Sequence, residues 1–405
     1  MARIALSFAS LFAIAFASVA GCHDWESLSS TYATGSSACV AFVVAGDTQT
    51  CARLADGSLE CWGDNRFGQL GAGDTQKHGV ARVDLGGQGT TRVFLPAGNG
   101  DITSDLGTFG CAITTDNRLL CWGDNRFGQL GTGDHTARPT PTPVDGIEGE
   151  VAKATSGAGH TCAETVDGAL YCWGRNTAGQ LGTGDTDPRD TPTKVTLPIS
   201  IERLSAGAAF TCARGTDGSL YCFGSNEYGQ LGTGNTNAQT KPVKVVDLAS
   251  VVRLSTGAGH ACAFTSDGIV NCWGDNREGQ LGTGDTNPRS RPTKIDPDGL
   301  GAVTQIYTGG SHTCAQRTDG SLWCWGSNRF GQLGTGDTDA RTVPTQVAPD
   351  VLGSSVSAVY AGGAHTCAVK VDGSVWCWGN NQYGQLGVEV GPLSTTPVQV
   401  RKPCQ

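Results

Sequence analysis

The tetrapeptide Gly-Gln-Leu-Gly occurs seven times, beginning at Gly68, Gly128, Gly179, Gly229, Gly279, Gly331 and Gly384, in steps of 60, 51, 50, 50, 52 and 53 residues. Each copy belongs to a longer unit: G-x-x-x-x-C-A, then D-G, then C-W-G-x-N-x-x-G-Q-L-G-x-G-D, then P-x-x-V. In the third copy these pieces are Gly157 to Ala163, Asp167-Gly168, Cys172 to Asn176, Gly179 to Asp185 and Pro192 to Val195. A period near 50 residues, built of short strands and glycine turns, predicts the blades of a β-propeller. No such unit buries both of its faces alone, so the copies must cover one another. The 405 residues therefore read as one closed all-β domain over 39–405. A single methionine, 60 glycines and no sustained 3.6-residue apolar period fit low helix content.

Fourteen of the seventeen cysteines form pairs ten residues apart. The pairs are Cys51 with Cys61, Cys111 with Cys121, Cys162 with Cys172, Cys212 with Cys222, Cys262 with Cys272, Cys314 with Cys324, and Cys367 with Cys377. An aspartate lies midway in each, followed by Gly in six copies and Asn117 in the second. Both residues tolerate left-handed backbone, which predicts a three-residue hairpin loop. That register sets the two cysteines directly opposite on a non-hydrogen-bonded pair, about 4.5 Å apart between Cα atoms, and so predicts seven hairpin disulfides. Bridges in such number imply an oxidising compartment.

The repeat resembles that of the regulator of chromosome condensation family. The matching pieces are A-G-x-x-H-T-C-A (fullest at Ala361 to Ala368), the D-G-x-x-x-x-W-G hairpin and N-x-x-G-Q-L-G. The resemblance runs over about residues 40–400 and implies a seven-bladed propeller, matching the seven copies. The first copy lacks a P-x-x-V segment and the chain ends with one, Pro397 to Val400. Val400 to Cys404 is 4 steps, Cys39 to Gly46 is 7, and one more joins the cysteines, giving the 12 that separate Val195 from Gly207. The C-terminal strand is therefore expected to complete the first blade, with Cys39 bonded to Cys404 at the seam.

Arg3 precedes an apolar run from Ile4 to Ala20, which reads as a signal sequence over 1–21. It ends Val19-Ala20-Gly21-Cys22, resembling the bacterial lipobox, which implies lipidation at Cys22 and a short tether over 22–38. The expected place is the cell envelope, lipid-anchored at the outer membrane or cell surface, or secreted if Cys22 carries no lipid. A net charge of −9 with no basic run or helix argues against nucleic acid as a partner.

His160, His260, His312 and His365 share one position in four copies, where Gln49, Phe109 and Phe210 stand in the others. A metal ring there is one reading; a buried structural histidine is favoured, because Phe substitutes for it. Asp134, Asp185, Asp285 and Asp337, one carboxylate per turn, read as turn caps and not as calcium ligands. Asn65, Asn125, Asn176, Asn226, Asn276, Asn328 and Asn381 read as loop braces. No metal, cofactor or catalytic set is expected. The informative variation precedes each Gly-Gln-Leu-Gly, and it selects Arg66, Phe67, Arg126, Phe127, Tyr228, Arg329, Phe330 and Tyr383 as a protein-binding rim, since Arg and aromatic residues dominate binding hot spots. The competing reading packs those aromatics under the neighbouring loop. The long first step places an insertion within 86–107, where loops often carry specificity. The expected function is a monomeric protein-interaction module and not an enzyme. A funnel-type carbohydrate-binding or hydrolytic propeller and a secreted enzyme inhibitor are the alternatives. The exchange activity of the family's namesake is not carried over, because fold alone is a poor guide to function.

Overall fold

The computed structural model describes residues 39–96, 107–295 and 300–402. The expected signal sequence, Cys22, the tether and Cys404 lie outside the described residues. Seven four-stranded antiparallel sheets form seven blades: blade 1 (40–83), 2 (90–143), 3 (151–195), 4 (201–244), 5 (251–294), 6 (303–346) and 7 (356–401). The first strand of each blade is innermost, and the first strands of neighbouring blades meet from blade 2 round to blade 7 and again between blades 7 and 1. The fourth is outermost and half-exposed, as in Arg189–Val195. A short helix, Pro349–Leu352, lies between blades 6 and 7.

The second and third strands form the cysteine hairpins. Cys162 pairs directly with Cys172, and the same register recurs in all seven blades. All seven hairpin disulfides are formed. Cys51 is bonded to Cys61, Cys111 to Cys121, Cys162 to Cys172 and Cys212 to Cys222. Cys262 is bonded to Cys272, Cys314 to Cys324 and Cys367 to Cys377. Their Cα atoms lie 4.0 to 4.1 Å apart. That is slightly closer than the about 4.5 Å expected from the register alone. The left-handed residue appears where the turn needs it, at φ 84° in Gly57 and φ 60° in Asn117. Cys39 is also disulfide-bonded.

The ring does not close as the repeat arithmetic suggested. Strand Leu393–Arg401 is the outer strand of blade 7, paired with Val375–Asn380. Blade 1 has its own outer strand, Ala81–Val83, paired with Leu59–Gly63. Ala81 and Val83 turn inward and Arg82 outward, which provides the apolar contact of a P-x-x-V strand without its proline. The ten extra residues lie further on: Phe94 pairs with Cys111, seventeen positions later, where Thr155 pairs with Cys162, seven later. Each blade is thus four consecutive strands. The seam is made by packing: Val43 and Trp62 of blade 1 share a core with Cys377 and Leu386 of blade 7, and Arg401 pairs with Glu60.

Seven apolar cores lie between blades, each drawing residues from two neighbours. In six of the seven blades the C-W-G tryptophan is fully buried against the preceding blade. Its indole N–H donates to the carbonyl of that blade's Gly-Gln-Leu-Gly glutamine: Trp122 to Gln69 at 2.9 Å, Trp173 to Gln129 at 3.0 Å, and Trp62 to Gln385 at 3.0 Å across the seam. The last glycine of the motif permits this approach. At Gly131 the φ is +72°, and a Cβ there would stand 2.7 Å from the Trp173 indole nitrogen. The glutamine side chain meanwhile accepts the N–H two residues before it, as Gln129 does from Phe127 at 2.8 Å. At one mouth of the channel a relay of backbone bonds joins the blades: Ala158 N–H to Ala208 C=O, Ala208 to Ala258, Ala258 to Gly310 and Gly310 to Gly362, with Gly363 bonding to Gly46.

Blade 4 shows what the indole adds, because Phe223 is buried where the others have tryptophan. Trp173→Phe keeps most of the apolar fill but removes the donor, and is expected to cost about 1 kcal/mol. Trp173→Ala empties the wedge and is expected to cost about 3–5 kcal/mol. Guanidinium unfolding of the oxidised chain measures both.

Candidate functional site

The rim residues lie on loops that the repeat fixes tightly. Asn125 Oδ1 accepts the Leu130 N–H at 2.9 Å, while its Nδ2 reaches the Asp134 carbonyl at 2.8 Å. Equivalent asparagines accept the same leucine N–H in all seven blades. Asp134 Oδ1 accepts the Thr136 N–H at 3.0 Å, and Arg138 binds Oδ2 at 2.6 Å. Asp185, Asp285 and Asp337 repeat this pairing with Arg189, Arg289 and Arg341. These carboxylates are turn caps.

On that frame, arginine and aromatic side chains alternate across blade boundaries. Arg66 lies over the Tyr383 ring of blade 7 with 4.9 Å to the centroid, Arg126 over Phe67 at 4.8 Å, Arg175 over Phe127 at 5.3 Å, and Arg277 over Tyr228 at 4.2 Å. Each cation belongs to the blade after its ring. The contacts run unbroken from blade 7 through 1 and 2 to 3 and recur between 4 and 5. Between blades 5 and 6 the link becomes an ion pair of Arg329 with Glu278, and Phe330 is half-buried beside Arg329.

The sequence left two readings of the aromatics open, as contact groups or as residues packed under the neighbouring loop. Phe67, Phe127, Tyr228 and Tyr383 are half-buried, and Phe127 lies against the next blade's loop, 3.2 Å from where a Gly159 Cβ would stand. The exposed members are the arginines, with 47% of the Arg66 side chain and 59% of Arg277 open to solvent. Three carboxylates unmarked in the sequence reading hold them. Buried Asp64 takes Arg66 Nη2 at 2.9 Å, and Asp124 and Asp275 take Arg126 and Arg277 at 3.0 and 2.9 Å. The clue was the D-N-R spelling in copies one, two and five. Each guanidinium is thus held from below by a carboxylate and from the side by a ring, which lowers the entropy lost when a partner binds.

The four histidines are buried between blades. Each Nε2 meets a threonine hydroxyl of the next blade: His160 with Thr211 at 2.8 Å, His260 with Thr313 at 2.9 Å, His312 with Thr366 at 2.9 Å, and His365 with Thr50 at 2.8 Å. Each threonine spends its one proton on a glutamine carbonyl, as Thr211 does on Gln180 at 2.9 Å. The imidazole must therefore be the donor, protonated at Nε2, and its buried Nδ1 has no hydrogen-bond partner. The partner is in each case a side-chain hydroxyl. Among the described residues, no three His, Cys, Asp or Glu side chains gather as metal ligands would.

Residues 196–405 match the RCC1-like domain, and residues 116–163, 167–214, 40–69 and 151–180 match regulator of chromosome condensation (RCC1) repeats. The chain is 32% identical over 348 residues to the ultraviolet-B receptor UVR8 of Arabidopsis thaliana, covering 85% of this chain and 54% of the receptor. It therefore spans about half of that relative's length. Over 80 residues it is 44% identical to the X-linked retinitis pigmentosa GTPase regulator of Mus musculus, covering 20% of this chain and 8% of that one. Among solved structures, yeast RCC1 (Prp20) bound to Kap60 matches with a TM-score of 0.74 at 19% identity, over 91% of this chain and 89% of that one. Human WBSCR16 matches with a TM-score of 0.73 at 23% identity, over 84% and 94%. Both share the fold.

Acid probes the buried imidazoles. Burial lowers their pKa to about 3 in His160 and His312 and to about 4 in His260 and His365. Beside burial, Arg175 adds to the shift at His160, and Asp275 opposes it at His260. An unfolded histidine titrates near ~6.5. Their contribution is complete above that pH and is lost as pH falls from it toward the folded values, because only the unfolded chain takes up protons there. Between pH 6.5 and 5 the loss is about 2 kcal/mol per histidine. The guanidinium midpoint is expected to fall over that range, and His→Phe at all four positions is expected to flatten the dependence.

Proposed function

The chain belongs to the RCC1-like domain family, and we propose that it is an exported, lipid-anchored ring that binds a partner protein through its arginine and aromatic rim. The observation that carries this reading is the chain of exposed guanidiniums, each stacked on a ring of the preceding blade and fixed in three blades by a buried carboxylate. Preorganised arginines over aromatics are what binding hot spots are made of. Because the carboxylates lie beneath, a partner meets the guanidiniums, which favours a surface rich in Asp and Glu. The yeast structure with Kap60 bound supports protein contact as a use of this fold.

Export is supported by the apolar run after Arg3 and by the seven disulfides. In this reading residues 1–21 are a signal sequence, Cys22 carries the lipid, 22–38 tethers the ring, and Cys39 bonds Cys404. No helix among the described residues is long and apolar enough to cross a membrane. The reading is of binding and not turnover, since the repeated aspartates and histidines are all engaged in holding turns or neighbouring blades.

Two measurements test it. Labelling with a fatty-acid probe is expected to mark the wild-type chain and not Cys22→Ser, which should move from the membrane to the soluble fraction; a labelled Cys22→Ser chain rejects the anchor. The Cys22→Ser chain, used as bait on envelope extract, is expected to retain a partner whose affinity falls at least ~100-fold when Arg66, Arg126 and Arg277 are changed to Ala. Equal affinity in the two baits rejects the rim.

A further inference from the structure

One position on the innermost strands faces the residue two beyond the first hairpin cysteine. Cross-strand register aligns it as Phe42, Arg92, Lys153, Arg203, Arg253, Gln305 and Ala358. Blades 2 to 5 therefore present four consecutive cations there, in a chain whose net charge is −9. Arg203 is exposed to solvent although protein crowds around it, as a side chain standing in an open channel is. It lies within electrostatic reach of Arg253, Arg214 and Tyr307, and also of Arg92. Tyr307 in turn senses both Arg253 and Arg203. Arg92 is two blades before Arg203 and Tyr307 two blades after it. Groups from blades 2, 4, 5 and 6 meet this way only across the lumen, so these side chains converge toward the axis.

The two carboxylates on neighbouring described strands are already paired. Glu164 is taken by Lys153 at 2.8 Å, and Glu202 by Arg214. Neither Arg92 nor Arg203 has a hydrogen-bond or ion-pair partner among the described residues. Burial, and then the neighbouring guanidiniums, lower the Arg203 pKa, so this wall carries repulsion that a bound anion would relieve.

We propose that the channel binds a compact, multiply charged oxyanion of the phosphate class, held by Arg92, Arg203 and Arg253. A guanidinium fork matches two oxygens of a phosphate, and three forks facing one lumen suit a ligand with several such edges. A monovalent anion would leave the wall positively charged. Backbone bonds tie the blades together at one mouth, so the ligand is small enough to lie among the inner strands.

Titration calorimetry with tripolyphosphate on the full chain, at low ionic strength, tests the site. One saturable site is expected, weakened about tenfold in Arg203→Gln and about a hundredfold when Arg203→Gln and Arg253→Gln are combined, with Arg203→Lys intermediate because it keeps charge but loses the fork. Arg118→Gln, which removes an exposed hairpin arginine paired with Asp116, is expected to leave binding unchanged. Citrate, a compact trianion without phosphate, is expected to bind at least ~10-fold more weakly. Unchanged free-thiol counts and circular dichroism confirm that each variant folds. No saturable heat, equal affinity in the double variant, or citrate binding as tightly as tripolyphosphate overturns the proposal. The rim arginines lie outside this cluster, so a chain with Arg66, Arg126 and Arg277 changed to Ala is expected to bind tripolyphosphate normally whatever becomes of the rim.

Discussion

An indole N–H reaching back to a glutamine carbonyl in the preceding blade is the contact on which the ring depends. It sets the spacing between sheets, because the tryptophan must fill the wedge and reach the carbonyl at once. The glutamine is a fixed target, since its own side chain closes the loop that carries it. Threonine hydroxyls reach the same carbonyls in several blades: Thr161 reaches Gln129 at 2.9 Å beside the Trp173 indole. Where Phe223 replaces the indole, Thr211 alone serves Gln180. A single motif thus supplies its own turn, the acceptor for the next blade and, through its last glycine, the space for the next ring.

Much of this was legible because the repeat writes each contact seven times. Cysteines ten apart around an Asp-Gly turn, as in Cys51 and Cys61 or Cys262 and Cys272, fix both hairpin register and disulfide pairing. The fold then follows from the count of copies. The closure was misread for a local reason. Pro397 to Val400 stands as far beyond Gly384 as Pro192 to Val195 stands beyond Gly179, sixteen residues from glycine to valine in each case. Measured from its own copy the strand belongs to blade 7, whereas the earlier measure ran forward to the next copy. Ala81 and Val83 escaped notice because an outer strand needs only alternating burial, and its proline is dispensable.

The rim was half legible. Arg and aromatic letters marked the right loops, but the stacking partner lies about fifty residues away in the neighbouring copy, and no local pattern shows which member ends outermost. The channel cations were hidden more fully. Arg92, Lys153, Arg203 and Arg253 sit on strands without a motif, at positions that align only when each is paired with its hairpin. Repetition makes the scaffold readable and leaves individuality to what varies between copies, on the rim and along the axis.

Every bridge in the seven hairpins joins a cysteine to the next one along the chain. A polypeptide emerging from its N-terminal end can oxidise each pair as soon as the hairpin appears, before any later thiol is present to compete. Within the hairpins, oxidation in order of appearance then gives the native pairing without shuffling, provided that Cys39, which precedes them all, does not pair first. The covalent pattern is set by the timing of synthesis, while the circular arrangement waits for the final sheet.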